Sequence, residues 1–84
     1  MEVEAVKIIW YHLGMEKQVK WLNACIFEFS ARFNLSPRQA WNYLLFFKGV
    51  EFLLECYEAE HTLSFDDAID DVVDVCKNNG GGLG

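Results

Sequence analysis

The chain has 84 residues, of which 52% are hydrophobic and 15% aromatic, and its formal net charge at pH 7 is −6. A chain this short forms at most one domain and buries only about 60% of the surface that its unfolded form exposes. Residues 1–48 contain six Lys or Arg and four Asp or Glu, whereas residues 49–84 contain one Lys and nine Asp or Glu. An acidic C-terminal half repels phosphate backbones, so the composition argues against a nucleic-acid partner and favours a basic protein partner.

The three cysteines predict neither disulfides nor a metal site. Cys25, Cys56 and Cys76 are an odd number, form no CxxC or CxxH pair, and fall at apolar helical positions, which is typical of reduced thiols in a core. Glu2 and Glu4 stand where a secretory signal would be basic, and no apolar run approaches the roughly 20 residues of a membrane helix. We therefore expect a cytoplasmic protein without a membrane segment.

Residues 1–14 are predicted to be an N-terminal extension, either a helix or a strand, that ends at Gly14. Their apolar residues fit helical spacing, but adjacent β-branched residues also suit a strand. Met15 is a second candidate start of translation, so the helical domain is predicted to span residues 15–79. The first helix of this domain covers residues 16–33, where five apolar side chains recur at helical spacing: Leu22, Cys25, Ile26, Phe29 and Phe33.

The second helix begins at the clearest local signal in the chain. Ser36 is a suitable N-cap residue, Pro37 fits the first helical position, and Gln39 completes a capping box. The helix continues to Phe47, is apolar on nearly all sides, and is predicted to be closed by Gly49. A helix without a polar face is either central to the core or partly covered by a partner.

Two further helices are predicted in the acidic half. Residues 50–60 form one long helix with an apolar face and an acidic face, residues 61–63 form a turn, and Ser64 caps the last helix. Residues 80–84 are predicted to be a flexible Gly-rich tail. The inward side chains of the two helices are Val50, Leu53, Leu54 and Tyr57, then Ile69, Val72, Val73 and Cys76. The predicted fold class is all-α, a small bundle of four to five short helices.

A second face of the last helix carries only acidic residues, Asp67, Asp70, Asp71 and Asp74. Like charges at i, i+4 repel by roughly a few tenths of a kcal/mol per pair, and no Lys or Arg intervenes to offset this repulsion. The one-signed face therefore favours a docking surface for a basic partner. An ordinary solvated face that keeps a hydrophobic protein in solution explains the same pattern.

One histidine lies in the predicted turn among carboxylates. Glu58 and Glu60 precede His61, and Thr62 and Asp66 follow it. Such a cluster could bind a divalent metal, but no HExxH motif, EF-hand spacing or second nearby His supports it. We therefore predict no metal, no cofactor and no catalytic residue here. The residues assigned a structural role at this corner are Tyr57, Glu58, His61, Thr62 and Ser64.

Several segments of residues 17–82 resemble a family of short bacterial proteins, the domain of unknown function three-seven-nine-one. The most specific segment is Tyr57-Glu58-Ala59-Glu60-His61-Thr62, with the acidic helix behind it. The first helix is looser than the usual Cys-Ile-Glu of the family, because Phe27 precedes Glu28. The other segments are Leu35-Ser36-Pro37-Arg38-Gln39-Ala40, Lys48-Gly49-Val50-Glu51-Phe52-Leu53 and Asp66-Asp67-Ala68-Ile69-Asp70-Asp71.

The resemblance implies a small helical intracellular protein and carries over no catalytic residue. Members of this family are often encoded beside proteins resembling ADP-ribosyltransferase toxins, which implies an antitoxin or accessory partner and not an enzyme.

Our functional prediction is a protein-interaction module with a basic partner encoded nearby. The predicted contacts are Asp67, Asp70, Asp71, Asp74, Trp41 and Phe47. The alternatives are a metal- or His-assisted enzyme centred on Glu58, His61 and Asp66, and a homo-oligomer that buries its apolar surplus against itself.

Overall fold

Five helices follow one another along residues 12–84, which are the residues that the computed structural model describes. They are α1 (Glu16–Phe33), α2 (Pro37–Phe46), α3 (Gly49–Glu55), α4 (Tyr57–Glu60) and α5 (Phe65–Asn78). No strand occurs among these residues, so the predicted all-α bundle is confirmed. The prediction of an N-terminal helix or strand falls almost wholly on residues 1–11, outside the described residues.

The ends of α1 and α2 follow the local signals of the sequence. Asn34 ends α1 in the left-handed conformation (φ 53°, ψ 47°), and its backbone N–H donates to the carbonyl of Ser30. Ser36 Oγ accepts the N–H of Gln39 at 3.1 Å, while Gln39 Oε1 accepts the N–H of Ser36 at 2.9 Å. The predicted capping box at the start of α2 is therefore confirmed.

The junction between α2 and α3 differs from the prediction that Gly49 closes α2. Lys48 takes the left-handed conformation (φ 70°), and Gly49 is the first residue of α3 and is buried. A Cβ atom on Gly49 would lie 2.8 Å from Leu44 Cδ2, 3.0 Å from Cys76 Sγ and 3.1 Å from Val72 Cγ2. Gly49 is needed because α3 passes unusually close to α2 and α5, so the prediction of a helix terminator was wrong.

The single helix predicted for residues 50–60 is divided at Cys56. The backbone of Cys56 (φ −101°, ψ 18°) leaves the helical region, and its carbonyl accepts the N–H groups of both Ala59 and Glu60. The one-turn helix α4 begins beyond this break. Its Tyr57 ring packs edge-on against the Trp21 ring of α1, with centroids 5.5 Å apart. The helical continuity that the sequence pattern predicts is therefore interrupted at Cys56, next to this contact of α4 with α1.

The core lies between α1, α2, α3 and α5, and the predicted inward faces of α1 and α5 are confirmed. Leu53 of α3 is fully buried, whereas Leu54 beside it is only half-buried. No helix within residues 12–84 is both long enough and apolar enough to cross a membrane. The buried core comprises Leu22, Cys25, Ile26, Phe29, Ala40, Trp41, Leu44, Val50, Leu53, Ile69, Val72, Val73 and Cys76.

The Gly-rich segment 80–84, predicted to be a flexible tail, lies against the bundle. The N–H of Leu83 donates to Tyr43 Oη at 3.1 Å, and the Leu83 side chain packs against the core. Gly81 passes directly beneath Tyr43 Oη, and Gly84 lies against Val73, so a Cβ atom at either glycine would clash. At Gly81 and Gly84 the small residue is needed because the segment packs closely on α2 and α5, so conformational freedom is not their only role.

Candidate functional site

The turn between α4 and α5 is held by the side chains of His61 and Thr62. His61 Nδ1 lies 2.6 Å from the carbonyl oxygen of Tyr57. The imidazole ring of His61 also stacks on the phenol ring of Tyr57, with centroids 4.3 Å apart and 7° between their planes. Thr62 Oγ1 donates to the carbonyl of Ala59 at 2.7 Å, and the N–H of Leu63 donates to the carbonyl of Glu60 at 3.1 Å. The carbonyls of Tyr57 and Ala59 also accept the backbone N–H groups of His61, at 2.9 Å, and Thr62, at 3.4 Å, so the two side chains reinforce a turn that the backbone already closes.

The start of α5 presents apolar and acidic side chains together. Ser64 Oγ accepts the N–H of Asp67 at 3.1 Å, which confirms Ser64 as the N-cap residue. On either side of Ser64, the large apolar residues Leu63 and Phe65 are 40% and 39% exposed. Asp66 and Asp67 follow in the first turn, where the helix dipole stabilises anions. We call Leu63, Phe65, Asp66 and Asp67 the corner surface.

The acidic residues of α5 occupy different environments. Arg32, near the end of α1, donates from Nη1 to Asp70 Oδ1 at 2.6 Å, and its Nη2 lies 3.5 Å from Asp66 Oδ1. Nothing in the sequence places these residues together, because Arg32 precedes Asp70 by 38 positions. The expectation that no cation offsets the acidic face was therefore wrong. Asp67 and Asp74 are exposed and form no ion pair with a described residue.

Glu60 is a site residue that the sequence interpretation missed. It is only 8% exposed, its Oε1 has no hydrogen-bond partner among the described residues, and the half-buried Asp71 of α5 is the charged group that acts on its carboxyl. Burial raises the pKa of Glu60 to about 7 from its ordinary 4.5, and the hydrogen bond and negative charge of Asp71 act in the same direction. Helical spacing offered a signal, since Glu60 follows the inward residues Leu53 and Tyr57 at i+7 and i+3.

The two aromatic residues of α2 that are predicted to contact a partner, Trp41 and Phe47, are not both exposed on the surface. Trp41 is 1% exposed and belongs to the core, so its prediction as a surface contact was wrong. Phe47 is half-buried and packs against the core. The exposed apolar side chains at this end of α2 are Leu45, at 46%, and Phe46, at 77%. Arg38, Gln39 and Asn42 lie on one exposed side of α2, opposite the buried Ala40 and Leu44, so helical spacing carried a signal for the orientation of α2 that the prediction overlooked.

Comparison with models of protein families shows which family the chain belongs to. Residues 20–79 match the model of the family described as a protein of unknown function (DUF3791). The chain belongs to this family. The matched segment includes the corner surface, Glu60 and Asp71, and the resemblance inferred from the sequence is thereby confirmed. Comparisons with curated proteins and with solved structures found no significant match.

The residues of the predicted enzymatic alternative are not arranged as a site in this DUF3791 domain. Glu58, His61 and Asp66 are exposed, and the His61 ring bonds the backbone of its own helix. Within residues 12–84, no three His, Cys, Asp or Glu side chains are gathered closely enough to hold a metal ion. The geometry therefore gives no support to a metal- or His-assisted reaction at this corner.

The buried thiols of the DUF3791 domain are poorly suited to nucleophilic attack. Burial raises the pKa of Cys25 to about 12, with the negative charges of Glu60 and Glu28 adding to the effect. Burial likewise raises the pKa of Cys76 to about 11, against a lowering hydrogen bond from the backbone of Gly49. The thiolate is the nucleophilic form of cysteine, so both side chains act as small apolar core residues.

The docked Gly-rich segment forms one wall of an open groove. The groove has a volume of about 400 Å³ and is largely apolar. Its lining residues are Leu35, Gln39, Tyr43, Phe47, Gly82 and Leu83. It lacks charged side chains, so it offers a small apolar hollow and not the convergent polar groups of a catalytic pocket.

Proposed function

We propose that this chain is a protein-interaction module that binds a basic protein through its corner surface. One observation carries the proposal: Leu63 and Phe65 are 40% and 39% exposed on either side of the α5 cap, and two aspartates follow directly. A few side chains that become well packed and desolvated supply most of the binding free energy at a protein interface, and surrounding charges select the partner and accelerate its approach.

The charge of the chain supports a basic partner. The half of the chain that contains the corner surface carries nine acidic residues and one lysine. Asp67 and Asp74 have no ion-pair partner among the described residues, so neither must give up an internal contact to meet a cation. A basic partner would gain attraction to both without breaking the pair between Arg32 and Asp70.

The partner proposed here is a protein encoded beside this one. The family resemblance implies neighbours that resemble ADP-ribosyltransferase toxins, and we propose that the chain is an antitoxin or accessory partner of such a protein. In this role, binding through the corner surface would cover the partner, and the chain itself would perform no reaction.

Co-expression with the neighbouring gene product, followed by affinity capture, tests the proposal. We expect a complex that survives purification and has an affinity measurable by titration calorimetry. Replacing Leu63 and Phe65 by Ser should weaken binding by at least about tenfold, which is about 1.4 kcal/mol. The matched control replaces Leu45 and Phe46, which are also exposed, by Ser. Its affinity for the partner should stay within about threefold of that of the wild-type chain.

A second pair of variants tests the charge. Reversal of Asp67 and Asp74 to Lys should weaken the complex, whereas the same reversal at exposed Glu55 and Glu58 should not, apart from the change in net charge. Far-UV circular dichroism must show unchanged helix content in each variant. Failure to form a complex at micromolar concentration, or equal weakening by both charge reversals, would count against the corner surface.

A homo-oligomer is the second candidate, and the exposed end of α2 is the observation that favours it. Leu45 and Phe46 are adjacent and are 46% and 77% exposed, which is unusual for neighbouring apolar residues on an isolated domain. Sedimentation of the chain over a range of concentrations decides this question. A monomer at all concentrations would leave the apolar end of α2 without a role in self-association.

A further inference from the structure

We propose that the Glu60–Asp71 pair is a proton-dependent latch, which holds α4 against α5 while the pair carries a proton and releases the corner when Glu60 ionises. The proposal concerns the mobility of α4 and its turn. It does not depend on the identity of a partner, or on whether the corner surface binds one.

The contact between the two carboxyl groups requires a proton. An ionised carboxylate only accepts hydrogen bonds, so a bond between Glu60 and Asp71 forms only when one of them is protonated. When both are ionised, the bond is replaced by repulsion between like charges at a largely buried position. Glu60 is 8% exposed, and its Oε1 has no hydrogen-bond partner among the described residues, so an ionised Glu60 would lack compensation there.

The groups that act on Glu60 favour its protonated form. Asp71 acts on Glu60 from α5, and the charge of Glu60 in turn acts on the buried thiol of Cys25 in α1, as does the charge of Glu28. The pKa of Glu60 is about 7, because burial disfavours its charged form and Asp71 adds a hydrogen bond and a negative charge. The proton is therefore exchanged close to neutral pH.

The element that carries Glu60 depends on such contacts for its position. Helix α4 has four residues, and a single helical turn is not stable by itself. The irregular backbone of Cys56 separates it from α3, and a turn separates it from α5. Apart from Glu60, its main side-chain anchor is the ring contact of Tyr57 with Trp21. Loss of the Glu60 contact therefore leaves α4 more weakly held on the bundle.

Displacement of α4 would reach the corner surface through hydrogen bonds. The N–H of Leu63 donates to the carbonyl of Glu60, and Thr62 Oγ1 donates to the carbonyl of Ala59. The turn therefore follows α4 when the latch opens. Leu63 would move with it, so the shape of the corner surface would differ between acidic and alkaline conditions.

Amide hydrogen exchange, resolved by residue and corrected for the intrinsic rates at each pH, tests the latch. The opening constant of amides 59–63 should rise on the order of 50-fold between pH 5 and pH 8, because the pKa of Glu60 falls from about 7 when closed to 4.5 when open. This exchange should be insensitive to low urea, which identifies a local opening. Core amides of α1 should exchange only through the urea-sensitive global unfolding.

Three variants test whether the pH dependence of this opening constant comes from Glu60. Glu60→Gln keeps the shape of the side chain without a titrating proton, so the pH dependence of the corner opening should disappear. Glu58→Gln is the matched control on the same helix, where the side chain is exposed, and it should retain the wild-type profile. His61→Gln should also retain it, although histidines commonly titrate in this range.

Each of three results would overturn the proposal. The opening constant of amides 59–63 could be independent of pH in the wild-type chain. It could share the urea dependence of the α1 amides, which would mean that α4 opens only when the whole domain unfolds. The pH dependence could persist in Glu60→Gln and vanish in His61→Gln, which would assign the proton to the histidine.

Discussion

The close crossing at Gly49 makes the sharpest prediction about this fold. Gly49→Ala adds one methyl group at a position where three atoms would lie within 2.8–3.1 Å of it, all from side chains of α2 and α5. All three of these side chains, Leu44, Val72 and Cys76, are fully buried, so they have little room in which to move. The substitution therefore tests whether α3 passes α2 and α5 as closely as the structure describes.

Two opposing terms set the magnitude. Overpacking a well-packed core typically costs about 1–3 kcal/mol, whereas replacing Gly by Ala within a helix recovers at most about 1 kcal/mol of helix propensity. Gly49 is the first residue of α3, where the propensity term is smallest, so overpacking should prevail. We expect a net loss of about 1–2 kcal/mol, which lowers the melting temperature of a domain of this size by roughly 4–16 °C.

Urea denaturation followed by far-UV circular dichroism measures this loss. The matched control is Gly82→Ala, because no atom lies within 4 Å of the position of its Cβ, and its stability should stay within about 0.5 kcal/mol of the wild type. A Gly49→Ala variant as stable as the wild-type chain would refute the reasoning. It would show that α3 can shift away from Leu44 and Val72 without cost.

Three further predictions follow from burial. The folded-state pKa of Glu60 is raised to about 7 from 4.5, so the free energy of unfolding should fall as pH rises between these values. Glu60→Gln should remove this fall and stabilise the chain at pH 8 by at most about 3 kcal/mol, as urea denaturation at pH 5 and pH 8 will show. Leu53→Ala should lower the free energy of unfolding by about 2–5 kcal/mol, and Leu54→Ala should lower it less, because Leu54 is only half-buried. Equal losses of stability in thermal melts would contradict this difference in exposure. Of the three thiols, partly exposed Cys56 should react first with Ellman's reagent, and the two buried thiols should react only after denaturation.

The features that the sequence predicts correctly depend on contacts between residues close together in the chain. The capping box of Ser36 and Gln39 spans three residues, and so does the cap formed by Ser64 with Asp67. The left-handed Asn34 is likewise determined by local backbone preferences. The apolar face of α5 is also correct, because a strongly amphipathic helix has only one side that can be buried.

The features that the sequence does not predict depend on where distant elements meet. Arg32 pairs with Asp70 across 38 positions, and the two become neighbours only because α1 and α5 pack together. The burial of Trp41 is a partial exception, because the exposed polar residues Arg38 and Asn42 already mark the outer side of α2. The break at Cys56 has no Gly or Pro to announce it, and the contacts that accompany it come from α1 and α5.

The acidic residues of α5 show why a run of like charges does not define a surface. Asp70 is occupied by Arg32, and Asp71 faces the buried carboxyl of Glu60, whereas Asp67 and Asp74 point outward without an ion-pair partner among the described residues. Reversal of Asp70 would break a contact between α1 and α5, so weaker partner binding in that variant could reflect a disturbed fold. Reversal of Asp74 breaks no described ion pair. It is therefore the substitution that separates the charge of the surface from the integrity of the bundle.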